Sequence, residues 1–174
     1  LIGIPLVFLS AYVFMVYQDL QRPGIVVLLF HQVIENEQEW SNKYQHRLSV
    51  FEEQLDYLLH EGYTTILPSE IYKYTRKSDS EKVVMLTFDD GTPDHYDIVY
   101  PLLRQRNFKG VFFVIADNLG KRYGLSASQL MEMSQNGMEV GSHSCSHPFL
   151  DEVNENEILY ELDQSKRILS EVTG

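Results

Sequence analysis

The sequence predicts an α/β fold in which helices cover a parallel sheet. Apolar runs of strand length, at Ile25 to Phe30, Val83 to Phe88 and Val111 to Ile115, alternate with segments of helical periodicity. The runs are apolar on both faces, which is typical of strands buried in a parallel sheet. The sheet could be an open, doubly wound one or a closed barrel. Both arrangements place ligands at the carboxyl ends of the strands.

Composition limits the possible classes of protein. The chain has 174 residues, of which 44% are hydrophobic, enough for one domain or one domain with an appendage. The net charge of −11 argues against nucleic acid as the main partner, because phosphate contacts require clustered Lys and Arg. The same charge is compatible with a neutral glycan but does not indicate one. Cys145 is the single cysteine, so no intrachain disulfide can form.

The amino-terminal segment is apolar and uncharged from Leu1 to Tyr17. We favour an uncleaved transmembrane anchor over a cleaved signal peptide, because the apolar run is longer than a signal-peptide core of about 7–15 residues. A buried core helix is disfavoured by Gly3, Pro5 and the lack of a polar face. Residues 18–24 are predicted to be a linker, and residues 25–174 a single domain. The chain does not begin with Met, so we expect the true amino terminus to precede it.

Capping signals mark the expected helices. Three helices are predicted to begin at a Ser or Asn followed three residues later by Glu or Gln, at Ser49 with Glu52, Ser126 with Gln129 and Asn154 with Glu157. Another helix is predicted from Pro93 to about Arg106, kinked or broken at Pro101. Asp94 and His95 at its start could line the site, although we favour a helix-capping role. The acidic residues from Asp151 to Glu161 are interpreted as a solvated helix face.

Three predicted strands end in reactive side chains. His31 follows the strand that ends at Phe30, and Asp89 and Asp90 follow the strand that ends at Phe88. His143 follows a short predicted strand over Met138 to Val140. Because carboxyl ends of parallel strands meet at one edge of a sheet, all of these side chains are expected on the same rim.

The residue types on this rim indicate metal chemistry. His143 and His147 are four residues apart, which on a helical turn places both imidazoles on one side. Two imidazoles and a carboxylate suit Zn²⁺, Fe²⁺ or a related metal. Asp89 and Asp90 are neighbours, and at the end of a strand they cannot both point the same way. One could bind the metal while the other faces the substrate as a general base, and Gly91 would allow a sharp turn with room for a ligand.

Each motif alone is typical of ordinary surface structure, and their joint position at strand ends favours a metal site. His31 could contact substrate, although we favour a structural histidine that hydrogen-bonds at the mouth of the barrel. Cys145 could be a soft ligand, although we favour a small filler that faces away from the histidines. The segment around Trp40, between the first strand and the first helix, is interpreted as a loop.

Two strings carry a family resemblance, Thr87-Phe88-Asp89-Asp90-Gly91 and His143-Ser144-Cys145-Ser146-His147. They resemble, in order and spacing, the first two motifs of the polysaccharide deacetylases, the NodB-like carbohydrate esterase family 4. The resemblance runs from about Val26 to Gly174. It includes Leu28-Leu29-Phe30-His31 near the start, Tyr100-Pro101-Leu102-Leu103 after the first motif, and Gly141-Ser142 and Pro148 around the second.

The resemblance implies a distorted (β/α) barrel and a role for each motif residue. Asp89 would be the general base, and Asp90, His143 and His147 would bind one divalent metal. Zn²⁺ is the expected metal, with Co²⁺, Ni²⁺ or Mn²⁺ as alternatives. Ser144 matches a family position that braces the motif loop by hydrogen bonding.

The implied reaction is hydrolysis of N-acetyl groups on a polysaccharide that contains N-acetylglucosamine. With the apolar segment from Leu1 to Tyr17, we expect a membrane-anchored enzyme whose catalytic domain is extracytoplasmic. The chain stops at Gly174, before the family's later motifs, so the last strands, the pocket walls and a histidine acid are expected beyond it. An alternative is therefore a truncated or inactive member that binds metal or glycan without turnover.

A non-haem iron oxygenase would use similar ligands. Those enzymes usually place their ligands on an all-β barrel, and the α/β pattern of this sequence argues against that class. The sequence does not predict an oligomeric state.

Overall fold

The computed structural model describes residues 24–35, 42–74 and 82–174. The predicted anchor at residues 1–17, the linker up to Pro23 and Trp40 lie outside the described residues. Within the described ranges, no helix has the length and apolar character needed to cross a bilayer.

The predicted α/β class is confirmed by a parallel sheet with helices packed against it. The sheet has five described strands, whose order in space is β1, β5, β6 and β7, with β4 also paired to β5. In chain order these strands are β1 (Val26–Phe30), β4 (Thr64–Thr65), β5 (Val83–Asp90), β6 (Val111–Val114) and β7 (Glu139–Ser142). All of the pairings are parallel, and over the described residues β1, β4 and β7 each pair with a single neighbouring strand.

A row of phenylalanines crosses the centre of the sheet. Phe30 pairs with Phe88, and Phe88 pairs with Phe112, at equivalent positions on three neighbouring strands. The ring of Phe88 stacks on those of Phe30 and Phe112, with centroids 5.4 and 4.9 Å apart. All three side chains are buried, and burial of each contributes about 1.5–3 kcal/mol. The row fixes the strand register one residue before Asp89, and therefore the height of the reactive rim.

Five described helices follow the strands, and two of the three predicted caps are confirmed. The helices are α1 (Leu48–His60), α2 (Ile71–Tyr74), α3 (Tyr100–Gln105), α4 (Ala127–Gln135) and α5 (Glu155–Thr173). Ser126 and Asn154 form the predicted capping boxes of α4 and α5. The cap at Ser49 is wrong. Helix α1 begins at Leu48, directly after a strand that ends at Arg47, so strand pairing sets its start.

The predicted helix after Pro93 is distorted just before Pro101 but is not broken there, since Val99 and Tyr100 both keep right-handed helical backbones. A turn of π-helix covers His95–Val99, and only then does α3 begin. Pro101 is the second residue of α3, a position where its missing N–H is tolerated because the first N–H groups of a helix have no partner within it.

Two short strands occupy the region that the sequence analysis interpreted as loop. β2 (Gln32–Ile34) and β3 (Gln45–Arg47) pair in parallel beside the main sheet. Each has three residues, too few to produce a recognisable pattern of alternation.

Candidate metal centre

The described strands bring the predicted residues to one rim. Asp90 at the end of β5 pairs with Val114 of β6, which pairs with Ser142 at the end of β7. His143 follows Ser142 directly, and its N–H donates to the Val114 carbonyl at 3.0 Å. The rim predicted from the strand ends is therefore present.

Asp90, His143 and His147 form a three-donor cluster on this rim. One ligand atom from each lies within 4.8 Å of the other two. The Nε2 atoms of the two histidines are 3.1 Å apart, and Asp90 Oδ1 is 3.5 Å from His143 Nε2. The side chains of His143 and Asp90 are 29% and 30% exposed, so the cluster is open to solvent on one side.

The two adjacent carboxylates approach the same imidazole. Asp89 Oδ2 is 4.0 Å and Asp90 Oδ1 is 3.5 Å from His143 Nε2. The prediction that they must point apart holds only for a regular strand. Asp90 has a left-handed backbone with φ of 80°, which breaks the alternation and turns its side chain towards His143.

The second motif forms a loop and not a helical turn. His143 and His147 do lie together as predicted, but the helical spacing from which this was predicted is wrong. Ser144 and His147 both have left-handed backbones, with φ of 61° and 64°. These two residues turn the chain so that His143 and His147 converge. Left-handed non-glycine residues are rare and concentrate at functional sites.

Hydrogen bonds inside the loop stabilise this conformation. The His147 N–H donates to Ser144 Oγ at 3.0 Å, and the Ser144 N–H donates to Ser142 Oγ at 3.2 Å. The bracing position that the family resemblance gives to Ser144 is thus matched by an observed hydrogen bond. The bond links it to a residue of the donor cluster.

Cys145 lies on the far side of the loop from the cluster. Its buried thiol donates to Asp117 Oδ1 at 3.2 Å. Burial, with the hydrogen bond to Asp117, raises the pKa of Cys145 to about 11. A neutral, buried thiol agrees with the predicted filler role.

Burial tunes the ionisation of the rim. Burial raises the pKa of Asp89 above its usual value, and the positive charges of His143 and His31 oppose this while the negative charge of Asp90 adds to it. Burial lowers the pKa of His143, and the negative charge of Asp89 opposes that shift. The arrangement favours a neutral imidazole, which is the form that binds metals, beside a carboxylate of increased basicity.

The backbone at His31 and Val33 is held by Asp94 and His95, the two residues that are expected from the sequence to cap a helix. The His31 carbonyl lies 2.6 Å from Nε2 of the buried His95, and the Val33 N–H donates to Asp94 Oδ2 at 2.7 Å. The predicted capping role is wrong, because the Asp94 side chain makes no capping hydrogen bond. The His31 ring packs on Tyr44, with centroids 4.9 Å apart.

Gly91 allows the backbone to pack closely against the Val114 side chain. Its φ is +72°, and a Cβ there would lie 2.8 Å from Val114 Cγ1. The predicted sharp turn is present. The space that was expected for a ligand is filled by the Val114 side chain.

Comparison with known proteins decides the family. The polysaccharide deacetylase family model matches residues 76–174, more than half of the chain. The chain belongs to the polysaccharide deacetylase family. This confirms the resemblance seen in the two motifs.

Two curated members of the family are similar in sequence. The putative polysaccharide deacetylase YxkH of Bacillus subtilis is 29% identical over 151 residues, which cover 85% of this chain and 52% of YxkH. The peptidoglycan-N-acetylglucosamine deacetylase of Bacillus cereus is 32% identical over 111 residues, which cover 60% of this chain and 38% of that protein. The chain therefore spans about half, or less, of these relatives.

A solved deacetylase shares the fold. The Streptococcus pyogenes deacetylase PplD, in complex with acetate, superposes with a TM-score of 0.78 at 30% identity. The match covers 87% of this chain and 70% of PplD.

The donor set of this deacetylase-family chain fits a divalent metal. Zn–N bonds of about 2.0–2.1 Å at a tetrahedral angle separate two ligand nitrogens by roughly 3.3 Å. The separations of 3.1 and 3.5 Å around His143 Nε2 bracket that value. Two imidazoles and one carboxylate leave further positions for water or substrate.

Glu161 contacts the motif loop, a role that is not predicted from the sequence. It was assigned to a solvated helix face, yet it is only 7% exposed and contacts the motif loop. The helical period could have revealed it. Counting from Ile158 in steps of three or four gives Glu161, Ser165 and Leu169, so a carboxylate and a hydroxyl lie within the apolar stripe.

Proposed function

We propose that the chain is part of a metal-dependent hydrolase that removes N-acetyl groups from a polysaccharide containing N-acetylglucosamine. The observation that supports this proposal is the convergence of Asp90, His143 and His147, with the Asp89 carboxylate beside them. The substrate class is supported by the name of the Bacillus cereus relative, a peptidoglycan-N-acetylglucosamine deacetylase.

The residues of the rim would have two roles in this hydrolysis, metal binding and proton transfer. Asp90, His143 and His147 would hold one divalent cation, most simply Zn²⁺, with Co²⁺, Ni²⁺ or Mn²⁺ as alternatives. A cation held there supplies Lewis acidity to a water molecule and to the amide carbonyl oxygen. Asp89 would accept the proton of the attacking water. Its carboxylate lies on the same side of the rim as the three donors, within reach of a water held there.

The departing amine needs a proton. From the sequence alone we expect His31 to be structural and a histidine acid to lie beyond Gly174, but from the position of His31 beside the rim we propose instead that His31 supplies the proton. His31 is close enough to Asp89 and His143 for its charge to act on the ionisation of both. Its backbone is fixed by His95, and its ring lies on Tyr44. An imidazole on the same rim as the base can act as a general acid towards the leaving amine.

We also propose a membrane-anchored protein with an extracytoplasmic catalytic domain. The support is the uncharged sequence from Leu1 to Tyr17 together with a cell-wall substrate class. Membrane fractionation of the producing cells, followed by protease treatment of intact spheroplasts, tests this. Protein in the membrane fraction and digestion from outside are expected. A soluble, protease-protected chain would contradict the proposal.

Metal content and acetate release together test the function. Purified protein is expected to bind one equivalent of metal by elemental analysis, and Asp90→Ala to bind far less. Acetate released from N-acetylated chito-oligosaccharides and from peptidoglycan fragments is then measured with each candidate metal. Equal metal content in both proteins would contradict the ligand assignment. Bound metal without acetate release would favour the second candidate, binding without turnover, which rests on the same donor cluster.

A further inference from the structure

The histidine loop, residues 143–147, adopts a conformation that needs support from outside. Two of its residues, Ser144 and His147, have left-handed backbones. A left-handed backbone is unfavourable for any residue other than glycine, so the surrounding structure must hold it in place. The loop also carries two of the three donors of the cluster, so any relaxation of its backbone would move His143 and His147 apart.

Every backbone N–H of the histidine loop has a partner. Those of His143, Ser144 and His147 donate to Val114 O, Ser142 Oγ and Ser144 Oγ. The remaining two, from Cys145 and Ser146, both donate to Glu161 Oε2 at 2.7 Å. Glu161 is thus the side chain outside the motif that accepts both backbone N–H groups at the centre of the loop.

Glu161 makes a third contact and lies on a rigid element. Its other oxygen, Oε1, accepts from Ser146 Oγ at 2.7 Å. It belongs to α5, a helix of 19 residues that begins with a full capping box. One turn further along, Ser165 Oγ lies 2.6 Å from Ser142 Oγ, so α5 contacts the loop and the end of β7.

The ionised form of this buried carboxylate is favoured by the loop itself. Burial would raise the pKa of Glu161, but the hydrogen bonds from Ser146 and Cys145 outweigh it and hold the pKa below its usual value. A carboxylate that accepts several N–H and O–H bonds is a strong, directional anchor.

We infer that Glu161 is a positioning residue for the candidate metal centre. It fixes the backbone at Cys145 and Ser146 so that the imidazoles on either side converge on one point. The inference rests on the proposed function, since it concerns how the metal is held. It assigns Glu161 no contact with metal or substrate.

The test compares Glu161→Gln with Asp163→Asn. Each removes one negative charge from α5, but Asp163 is exposed. Calorimetric titration of the metal-free proteins with Zn²⁺ is expected to show affinity reduced at least tenfold in Glu161→Gln and unchanged within twofold in Asp163→Asn. Equal affinities in these two variants, both folded by circular dichroism, would overturn the inference.

Amide hydrogen exchange gives a readout without metal. In the wild-type protein the amides of Cys145 and Ser146 are expected to be protected, and Glu161→Ala, which removes both acceptor oxygens, to lose that protection while β6 stays protected. Retained protection would overturn the inference. A wild-type protein that binds no metal would instead contradict the proposed function, so the two failures are distinguishable.

Ser146→Ala decides the question if Glu161→Gln does not fold. It removes only the bond from Ser146 Oγ and leaves both backbone bonds to Glu161 in place. Zn²⁺ affinity is expected to fall about threefold relative to Ser170→Ala, which changes an exposed serine of α5. No difference between the two serine variants would overturn the inference.

Discussion

Asp89 and Asp90 are neighbours in the chain, yet their carboxylates approach the same atom, His143 Nε2, at 4.0 and 3.5 Å. The left-handed backbone of Asp90 makes this possible, because a regular strand would send the two side chains to opposite faces. A candidate ligand and a candidate base are thereby brought to the same side of the rim.

Asp89→Asn separates these two roles. Asparagine keeps the size of the side chain but cannot accept a proton from water. We expect Zn²⁺ affinity within about tenfold of wild type and acetate release reduced by about 10²–10⁴-fold. Metal titration and an acetate assay on the same preparation measure both. Acetate release within a few-fold of wild type would exclude Asp89 as the base.

Gly91→Ala tests the packing of the rim. Its φ is +72°, and the added methyl would collide with the buried Val114. Gly62→Ala is the matched control, because Gly62 has φ of +75° and nothing within 4 Å of the position that a methyl would take. Both variants carry the left-handed strain, so denaturant unfolding should show Gly91→Ala less stable than Gly62→Ala by about 1–3 kcal/mol. Equal losses of stability in the two variants would show that the Val114 side chain accommodates the added methyl group without cost.

His95→Gln tests a pH dependence of stability. His95 is fully buried, and burial lowers its pKa below the usual 6.5 while Asp94 opposes the shift. As pH falls through that range the unfolded chain binds the proton first, so stability present above pH 6.5 is lost below it. Glutamine keeps an N–H near the His31 carbonyl and does not titrate.

Unfolding free energy measured between pH 7.5 and pH 5 is therefore expected to fall more steeply in wild type than in His95→Gln, by up to about 1.4 kcal/mol per pH unit. His60→Gln removes an exposed histidine and should leave the slope unchanged. Parallel curves for wild type and His95→Gln would contradict the assignment.

The sequence predicted the strands and the rim because their signals are local. An apolar run that ends in Asp89 and Asp90 indicates both a buried strand and the position of its reactive end. The convergence of His143 and His147 was predicted for a different reason from the one observed. Left-handed residues such as Ser144 carry no pattern that a period of 3.6 or 2 could detect.

Residues whose roles depend on partners distant in sequence were missed. Glu161 contacts an amide 16 positions away, and Asp94 contacts one 61 positions away. Each was given the local role that suits its residue type, a solvated face or a helix cap. The strand pairing and helix packing that bring such pairs together are properties of the whole fold, so composition and periodicity do not contain them.

His31→Gln tests the proposed proton donor. The variant keeps a polar side chain on the rim, so the three-donor cluster and Zn²⁺ binding should be retained. Amide hydrolysis is expected to fall by about 10²-fold or more, because the amine leaves poorly without a proton. Hydrolysis of 4-nitrophenyl acetate, whose leaving group departs as a stable anion, should stay within a few-fold of wild type. His60→Gln is the control for removal of a histidine. A purely structural His31 would instead lower the melting temperature and reduce the rates on both substrates equally, since its only role would be to hold the rim in place.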